Sequence, residues 1–298
     1  RVAARGRTRR MTPLHILMIS IHGLIRGRDM ELGRDADTGG QVLYVVEAAR
    51  HLAELPDVAR VDLMTRRVVD PHVSPDYAEP IEQLSPKSRI VRIEAGPEAY
   101  IRKEELWDYL DSYADNALAF LRAQAIRPDI IHSHYADAGY VGTRLASLLG
   151  VPLVHTGHSL GRVKRRRLIA SGMKRNMIED RYHMARRIEA EELTLGSASL
   201  VIASTANEIE AQYELYDYYQ PERMRVIPPG TDLQRFRPPD GNEQHEPIAA
   251  DVAPGYDPLA DVIQQAHARG IQVHAWVVAL PAWKAVSFNF CVICSDIP

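Results

Sequence analysis

The stretch LHILMISIHGLIRGRDMELGRDADTGGQVLYVVEAARHL, residues 14–52, decides the fold. Its first part, Leu14–Ser20, is almost continuously apolar, which predicts a strand that is buried on both faces. A long loop rich in glycine and charge follows, and then Gly39-Gly40-Gln41 opens a segment whose apolar residues recur at helical spacing. A strand, a loop and a helix in this order predict the first unit of a parallel sheet with crossover helices.

The rest of the chain, up to about residue 227, continues this alternation of apolar runs and helical patterns. We therefore expect an α/β fold with a Rossmann-like, doubly wound parallel sheet. The further expected strands lie near 61–65, 90–93, 129–132, 152–156, 200–203 and 224–227. The further expected helices cover about 104–122, 138–149, 175–195 and 206–215.

The composition is that of an ordinary globular protein, with 46% hydrophobic and 25% charged residues among 298. The formal net charge of -3 gives no overall attraction to nucleic acid, and no apolar run approaches the length of a membrane span. We expect neither nucleic acid nor a membrane as a partner.

Both cysteines lie near the C-terminus, so we expect a reducing, cytoplasmic location rather than a disulfide framework.

Composition also divides the chain into segments. Residues 1–12 are rich in arginine and are expected to be a disordered lead-in, whereas residues 13–238 are expected to form the sheet domain. Residues 239–298 begin as a linker and hold only one convincing helix and one strand, which cannot bury an independent core. Cys291 and Cys294 in this tail supply only half of a zinc site, and we interpret them as incidental.

The glycine pair Gly39-Gly40 is the first candidate for a binding site. Consecutive glycines directly before a helix let a ligand approach bare backbone N–H groups at the positive end of the helix dipole, which suits a phosphate. From the spacing alone, a simple tight turn is an equally good interpretation.

A series of motifs makes the interpretation more specific, because together they resemble the sucrose-phosphate synthases and the related sucrose synthases. They occur in the order found in that family and span roughly residues 14–238. The motifs are HGLIRGRDMELGRDADTGGQVLYVVE at 22–47, RKEELWDYL at 102–110, PDIIHSHYADAGYVG at 128–142, HTGHSLG at 155–161, RRIEAEE at 186–192 and VIPPGTDLQRF at 226–236.

The resemblance implies a GT-B architecture, in which two Rossmann-like domains face each other across a cleft. It implies that glucose is transferred from UDP-glucose to fructose 6-phosphate with retained anomeric configuration, which gives sucrose 6-phosphate. The present residues resemble the N-terminal domain, which holds the acceptor. Neither a metal ion nor another cofactor is expected.

The resemblance also implies roles for individual residues. Gly39 and Gly40 are expected to contact the donor diphosphate, and Gly40 also the acceptor, through backbone N–H groups. Gln41 is expected to hydrogen-bond the acceptor sugar. His158 is expected to contact the transferred glucose and to help stabilise the transition state rather than to act as a general base. Without the resemblance, a histidine that satisfies loop backbone groups would be the simpler interpretation of His158.

Three further residues are implied to bind the acceptor phosphate. Lys103 brings a compact positive charge on a flexible stem, although a solvated lysine at a helix start is the alternative. Arg181 and His183 fall where the family places basic residues around the same phosphate. His183 replaces the expected lysine or arginine and offers less charge near pH 7.

Two other patterns carry weaker alternatives. The run Arg162–Arg167 lacks the interleaved aromatic residues of a nucleic-acid site, so we expect a mobile basic loop near anionic substrates. His132, His134 and His155 invite a metal-site interpretation, but no carboxylate or cysteine completes such a set.

The sequence after Phe236 lacks the basic pair and the glutamates expected of a donor domain. Residues 255–276 instead resemble a short helix-strand unit of glycoside-hydrolase barrels. We therefore expect this chain to bind fructose 6-phosphate weakly and not to synthesise sucrose phosphate alone, with a separate donor-domain chain as a possible partner. Two alternatives stay open: a sucrose synthase that uses free fructose, and a non-catalytic sugar-phosphate-binding chain.

Overall fold

The computed structural model describes residues 13–230. All the elements that follow belong to one compact unit, which extends to Pro229. The expected lead-in, the expected domain boundary near residue 238, the tail with its cysteine pair and the barrel-like segment at 255–276 lie outside the described residues.

The described chain forms a central sheet with helices on both faces. The strands are β1 (Leu14–Ile19), β2 (Val58–Arg66), β3 (Ile81–Ser85), β4 (Ser88–Ile93), β5 (Ile130–His134), β6 (Leu153–Thr156), β7 (Leu200–Ala203) and β8 (Met224–Val226). The α-helices are α1 (Gly40–Glu54), α2 (Leu110–Ala123), α3 (Tyr135–Leu149), α4 (Gly161–Ala170), α5 (Arg175–Tyr182) and α6 (Met184–Ser197).

The eight strands lie in the order β3-β4-β2-β1-β5-β6-β7-β8. Every neighbouring pair is parallel except β3 and β4, which pair antiparallel. The chain thus winds outward from β1 in both directions, which confirms the predicted α/β, doubly wound, Rossmann-like sheet. The sequence analysis missed β3, a short edge strand whose first residue, Ile81, is exposed.

The sheet is covered on both faces, as the apolar run at its centre predicts. Leu17, Met18 and Ile19 of β1 have no exposed surface. Their side chains alternate between two cores, because successive residues of a strand point to opposite faces. Met18 packs in the core that contains the buried face of α1, whereas Leu17 and Ile19 pack in the larger core with α2, α3 and α6.

The long helix expected over residues 175–195 is instead two helices, α5 and α6. They are separated at His183, which adopts a left-handed backbone with a φ of 46°. The helix expected over 104–122 likewise begins as a 3-10 helix, Lys103–Tyr109, before α2. Such local breaks leave no mark on hydrophobic periodicity, which is the signal from which both helices were predicted.

The prediction of a mobile loop at Arg162–Arg167 was wrong, because these residues lie in α4. The N–H of Gly161, the first residue of α4, donates at 3.0 Å to both carboxylate oxygens of Glu191. A carboxylate at this position stabilises the positive end of a helix. The run of arginines hides the helix from a periodicity search, since few of its residues are apolar.

The helix expected over 206–215 is irregular, with a π-helical turn at Glu208–Gln212 followed by a 3-10 turn at Tyr213–Leu215. None of the helices between residues 13 and 230 combines the length and apolar character needed to cross a bilayer.

The order of the strands determines where a ligand-binding crevice is expected. The connections from β1 and from β5 leave the sheet in opposite directions, so a crevice opens at the carboxyl ends of these adjacent strands. The loop that follows β1 leads to the glycine pair, and β5 ends at His134. The glycine pair and the end of β5 are therefore brought to one edge of the sheet.

Candidate functional site

The glycine pair lies at the start of α1, with Gly39 as the capping residue and Gly40 as the first helical residue. A Cβ built on either glycine would meet no atom within 4 Å. The space beside both residues is thus open to a ligand, as an anion site at a helix N-terminus requires. Gln41 points back to the sheet edge, where its side-chain N–H group donates to Ser20 Oγ at 3.1 Å and to the His134 carbonyl at 3.5 Å.

Lys103 lies against the loop that carries the glycine pair. Its ammonium group pairs with the Asp37 carboxylate, and its backbone N–H donates to the same carboxylate at 2.9 Å. Burial alone would raise the pKa of Asp37, but the hydrogen bonds and charge of Lys103 outweigh it and lower that pKa. Lys103 therefore connects the 3-10 helix that it begins to the glycine loop.

Lys164 in α4 is a site residue that sequence reasoning missed. Its Nζ lies 3.9 Å from Glu104 Oε1, and Lys103 Nζ lies 4.0 Å from the same oxygen. The Lys164 ammonium also sits over the Tyr182 ring, 4.1 Å from its centroid. Partial burial, reinforced by the charge of Arg187, lowers the pKa of Lys164 to about 8. The two lysines are thus brought together from distant parts of the chain.

The other two residues predicted to bind phosphate are placed differently from each other. Arg181 is exposed, and its guanidinium lies 5.4 Å from the centroid of the Tyr182 ring, which Lys164 also contacts. His183 is exposed and lines a separate hollow of about 410 Å³ together with Trp107 and Arg186. Arg181 and Lys164 thus contact the same aromatic ring, whereas His183 faces a neighbouring part of the surface.

His158 follows β6 at the same edge of the sheet and has a left-handed backbone with a φ of 56°. Its Nε2 lies 3.0 Å from His134 Nδ1, and its ring packs edge-on against Tyr44 at a centroid distance of 5.1 Å. His158 and Lys164 both line a cavity of about 360 Å³. The predicted catalytic histidine and Lys164 thus share one cavity.

The imidazoles of His132, His134 and His158 are uncharged near neutral pH. Desolvation, with a contribution from nearby histidines, lowers the pKa of His158 to about 3 even though the residue keeps an exposed face. Desolvation lowers the pKa of His132 to about 4 and that of the fully buried His134 well below its usual value. A neutral imidazole has one N–H donor and one bare nitrogen acceptor.

The histidines considered for a metal site are engaged with separate partners. His132 Nε2 lies 2.9 Å from Thr156 Oγ1, and His155 Nδ1 lies 2.9 Å from Ser133 Oγ. His134 contacts His158, as described above. In the part of the chain that the structure covers, no three His, Cys, Asp or Glu residues are grouped so that they could hold a metal ion.

A buried ion pair, also missed from the sequence, anchors the segment that carries His158. Arg187 Nε donates to Glu191 at 2.9 Å, and both residues of α6 are at least 97% buried. Arg187 also donates to the Ser159 carbonyl at 2.7 Å, while Glu191 accepts the N–H of Gly161. Both residues lie in the RRIEAEE motif. Their spacing of four residues within one helix is the only feature of the sequence that indicates the pair.

Comparison with known proteins identifies the family of this chain. The model of Glycosyltransferase Family 4 matches residues 38–235. A probable sucrose-phosphate synthase of Vicia faba is 42% identical over 283 residues, and the match covers 78% of this chain and 27% of the relative. A probable sucrose-phosphate synthase 1 of Oryza sativa subsp. indica is 44% identical over 274 residues, with coverage of 76% and 25%.

A solved structure of sucrose-phosphate synthase from Thermosynechococcus elongatus is similar with a TM-score of 0.60 and 27% identity. The match covers 76% of this chain and 50% of that chain. The chain thus spans about a quarter of the length of the plant relatives and half of the solved one. These matches confirm the resemblance inferred from the motifs, whereas the suggested similarity of residues 255–276 to a glycoside-hydrolase barrel has no support from them.

Proposed function

Because this chain belongs to glycosyltransferase family 4, we propose that it serves the transfer of glucose from UDP-glucose to fructose 6-phosphate, which yields sucrose 6-phosphate. In this proposal the described domain binds the acceptor. The identity of 42–44% to probable sucrose-phosphate synthases supports the choice of acceptor. The crevice at the carboxyl ends of β1 and β5 is the position at which doubly wound sheets bind ligands.

The pair of lysines beside the glycine loop is the observation that carries the proposal. Lys103 and Lys164 approach one oxygen of Glu104 within 4.0 and 3.9 Å, so their two ammonium groups converge on the same small volume. A phosphate there would pair with both ammonium groups in place of the Glu104 carboxylate, while Lys103 keeps its contact with Asp37. Arg181 contacts the same Tyr182 ring as Lys164 and would add positive charge nearby. Free fructose has no group that uses this concentration of charge.

The sugar ring of the acceptor would then lie towards the glycine pair. The open space beside Gly40 lets a hydroxyl group approach the backbone, and the Gln41 amide is held at the same edge by Ser20. Gly39 remains available for the diphosphate of the donor. A ligand bound to these groups would reach from the start of α1 to the lysine pair.

His158 is proposed to contact the transferred glucose as a neutral hydrogen-bonding group. With its pKa lowered to about 3, His158 is too weak a base to remove a proton efficiently at pH 7. A fixed, uncharged donor or acceptor can still stabilise the transition state, because it needs no reorganisation during the reaction. This role agrees with the one that the resemblance implied.

Calorimetric titration of the purified chain with fructose 6-phosphate and with fructose tests the proposed acceptor. We expect fructose 6-phosphate to bind at least about tenfold more tightly, because charge-assisted hydrogen bonds contribute roughly 1.5–3 kcal/mol each. Lys164→Met should remove most of this preference. Arg166→Met is the matched control, since Arg166 lies on the same helix and is exposed.

The titration separates the alternatives. Equal affinity for fructose and its phosphate would favour an enzyme that uses the free sugar, and absence of binding by either compound would overturn the proposed acceptor site. If the Lys164→Met chain still prefers fructose 6-phosphate to fructose, the lysine pair does not bind the phosphate.

A further inference from the structure

The contact between His134 and His158 joins a fully buried residue to one that is exposed. His134 has no exposed surface, and its Nδ1 lies 3.0 Å from His158 Nε2. The second nitrogen of His134, Nε2, is buried and has no hydrogen-bond partner among the described residues. The His132 ring packs against His134 at a centroid distance of 4.1 Å. His134 is therefore held by packing and makes one polar side-chain contact.

Only one proton can lie between the two rings, and the unpartnered nitrogen decides which ring supplies it. If His158 donated, the single proton of neutral His134 would sit on Nε2, as a buried N–H group without an acceptor. If His134 donates from Nδ1, its Nε2 is a bare nitrogen instead. Buried N–H groups without an acceptor are rarer in proteins than buried acceptors without a donor. A buried N–H group that makes no hydrogen bond has lost its hydrogen bond to water and gained nothing in return.

We propose that His134 is a positioning residue that donates its Nδ1–H to His158 Nε2 and thereby holds His158 in the tautomer protonated on Nδ1. His158 then presents an N–H donor, not a bare acceptor, to an oxygen atom of the bound sugar. The last step rests on the function proposed above, whereas the tautomer itself does not.

The backbone at His158 gives this contact a second role. A left-handed conformation at a residue other than glycine costs on the order of 1–3 kcal/mol, so surrounding contacts must maintain it. The hydrogen bond from His134 and the edge-on packing of Tyr44 are the side-chain contacts that hold the ring. His134 therefore sets both the orientation of the His158 ring and the position of its proton.

The tautomer can be measured directly in the full chain labelled with ¹⁵N-histidine. Two-bond ¹H–¹⁵N correlation from the ring carbon protons reports on both ring nitrogens, and a His158→Asn chain assigns the signals. In the unsubstituted chain at pH 7.5 we expect His158 to show a protonated Nδ1 and a bare Nε2. His134→Leu removes the contact that holds His158 Nε2 against the sheet, so the exposed His158 residue is free to turn that nitrogen to water. The proton of His158 should then move to Nε2, the form that a neutral imidazole side chain favours in water.

Two further variants separate positioning from general support of the fold. His134→Asn places an amide nitrogen close to the position of Nδ1, and it should keep the Nδ1-protonated form of His158. His132→Leu removes the neighbouring packed ring without touching His158 Nε2, and it should leave the tautomer unchanged.

A His158 that is protonated on Nε2 in the unsubstituted chain would overturn the inference, as would a His134→Leu chain with an unaltered His158 pattern. If His134→Leu fails to fold, the unsubstituted chain and His134→Asn still decide the question. Failure to bind fructose 6-phosphate would count against the proposed function while leaving the tautomer result intact, so the two ideas fail separately.

Discussion

At the scale of single residues, the glycines of this domain fall into two kinds with different tolerance to substitution. A Cβ at Gly40 would meet no atom within 4 Å, whereas a Cβ at Gly139 would lie 2.6 Å from Thr194 Oγ1. Gly139 is thus required by packing between α3 and α6. Gly40 has no such packing requirement, so a substitution there can test the proposed approach of a ligand to its backbone.

Gly40→Ala should therefore separate stability from binding. Because alanine is favoured over glycine within a helix by roughly 0.5–1 kcal/mol, the free energy of unfolding should stay the same or rise slightly. The added methyl group should obstruct the ligand and weaken fructose 6-phosphate binding by at least about tenfold, or about 1.4 kcal/mol. Denaturant unfolding and calorimetry measure the two effects.

Gly139→Ala is the control for that substitution, and it should lower the free energy of unfolding because of the close approach to Thr194. Unimpaired binding by the Gly40→Ala chain would show that the ligand does not approach this backbone.

At the scale of elements, the segment that carries His158 depends on α6. Arg187 and Glu191 hold the Ser159 carbonyl and the start of α4, and neither residue has more than 3% of its surface exposed. Burial raises the pKa of Glu191, whereas the charge of Arg187 and its hydrogen bond act in the opposite direction and favour the ionised carboxylate. The ion pair thus links three elements around the candidate site.

Arg187→Met should be strongly destabilising, because it leaves the Glu191 carboxylate buried without its cation. Removal of one member of a buried pair typically costs about 3–5 kcal/mol of unfolding free energy. The neighbouring Arg186 forms an ion pair with Asp108 in which both side chains are at least half exposed. Arg186→Met should therefore cost less than about 1 kcal/mol. Similar losses in urea unfolding for the two variants would contradict this assignment.

At the scale of the whole molecule, neutral buried histidines make the domain sensitive to acid. Desolvation, followed by the charge of His132, lowers the pKa of His155 to about 3, compared with about 6.5 in an unfolded chain. The unfolded state therefore binds more protons between these pH values. Stability from His155 is fully present above pH 6.5 and is lost as the pH falls towards 3.

His155→Asn tests this linkage and keeps a polar atom near Ser133 Oγ. Between pH 6.5 and 5, the free energy of unfolding of the unsubstituted chain should fall with a slope that includes up to about 1.4 kcal/mol per pH unit from His155. The variant should show a shallower slope, whereas His51→Asn, at a mostly exposed histidine, should not. Identical slopes in all three chains would mean that His155 takes up a proton in the folded state.

Much of the fold could be predicted because its signals are local. The apolar run of β1, the periodicity of α1 and the glycines between them depend on residues near one another in the chain. The edge strand β3 and the break at His183 escaped prediction, because a short edge strand carries little apolar pattern and a left-handed histidine has no composition signal.

The sequence by itself determined the alternation of strands and helices, and with it the sheet edge at which Gly39, Gly40 and His158 lie, since the ends of parallel strands share one edge. Only the tertiary structure decided which side chains meet there. Lys164 reaches Glu104, and His134 reaches His158, because strand order and helix packing bring together residues that are 60 and 24 positions apart. Such contacts depend on the packing of whole elements, and no local pattern in the sequence records them.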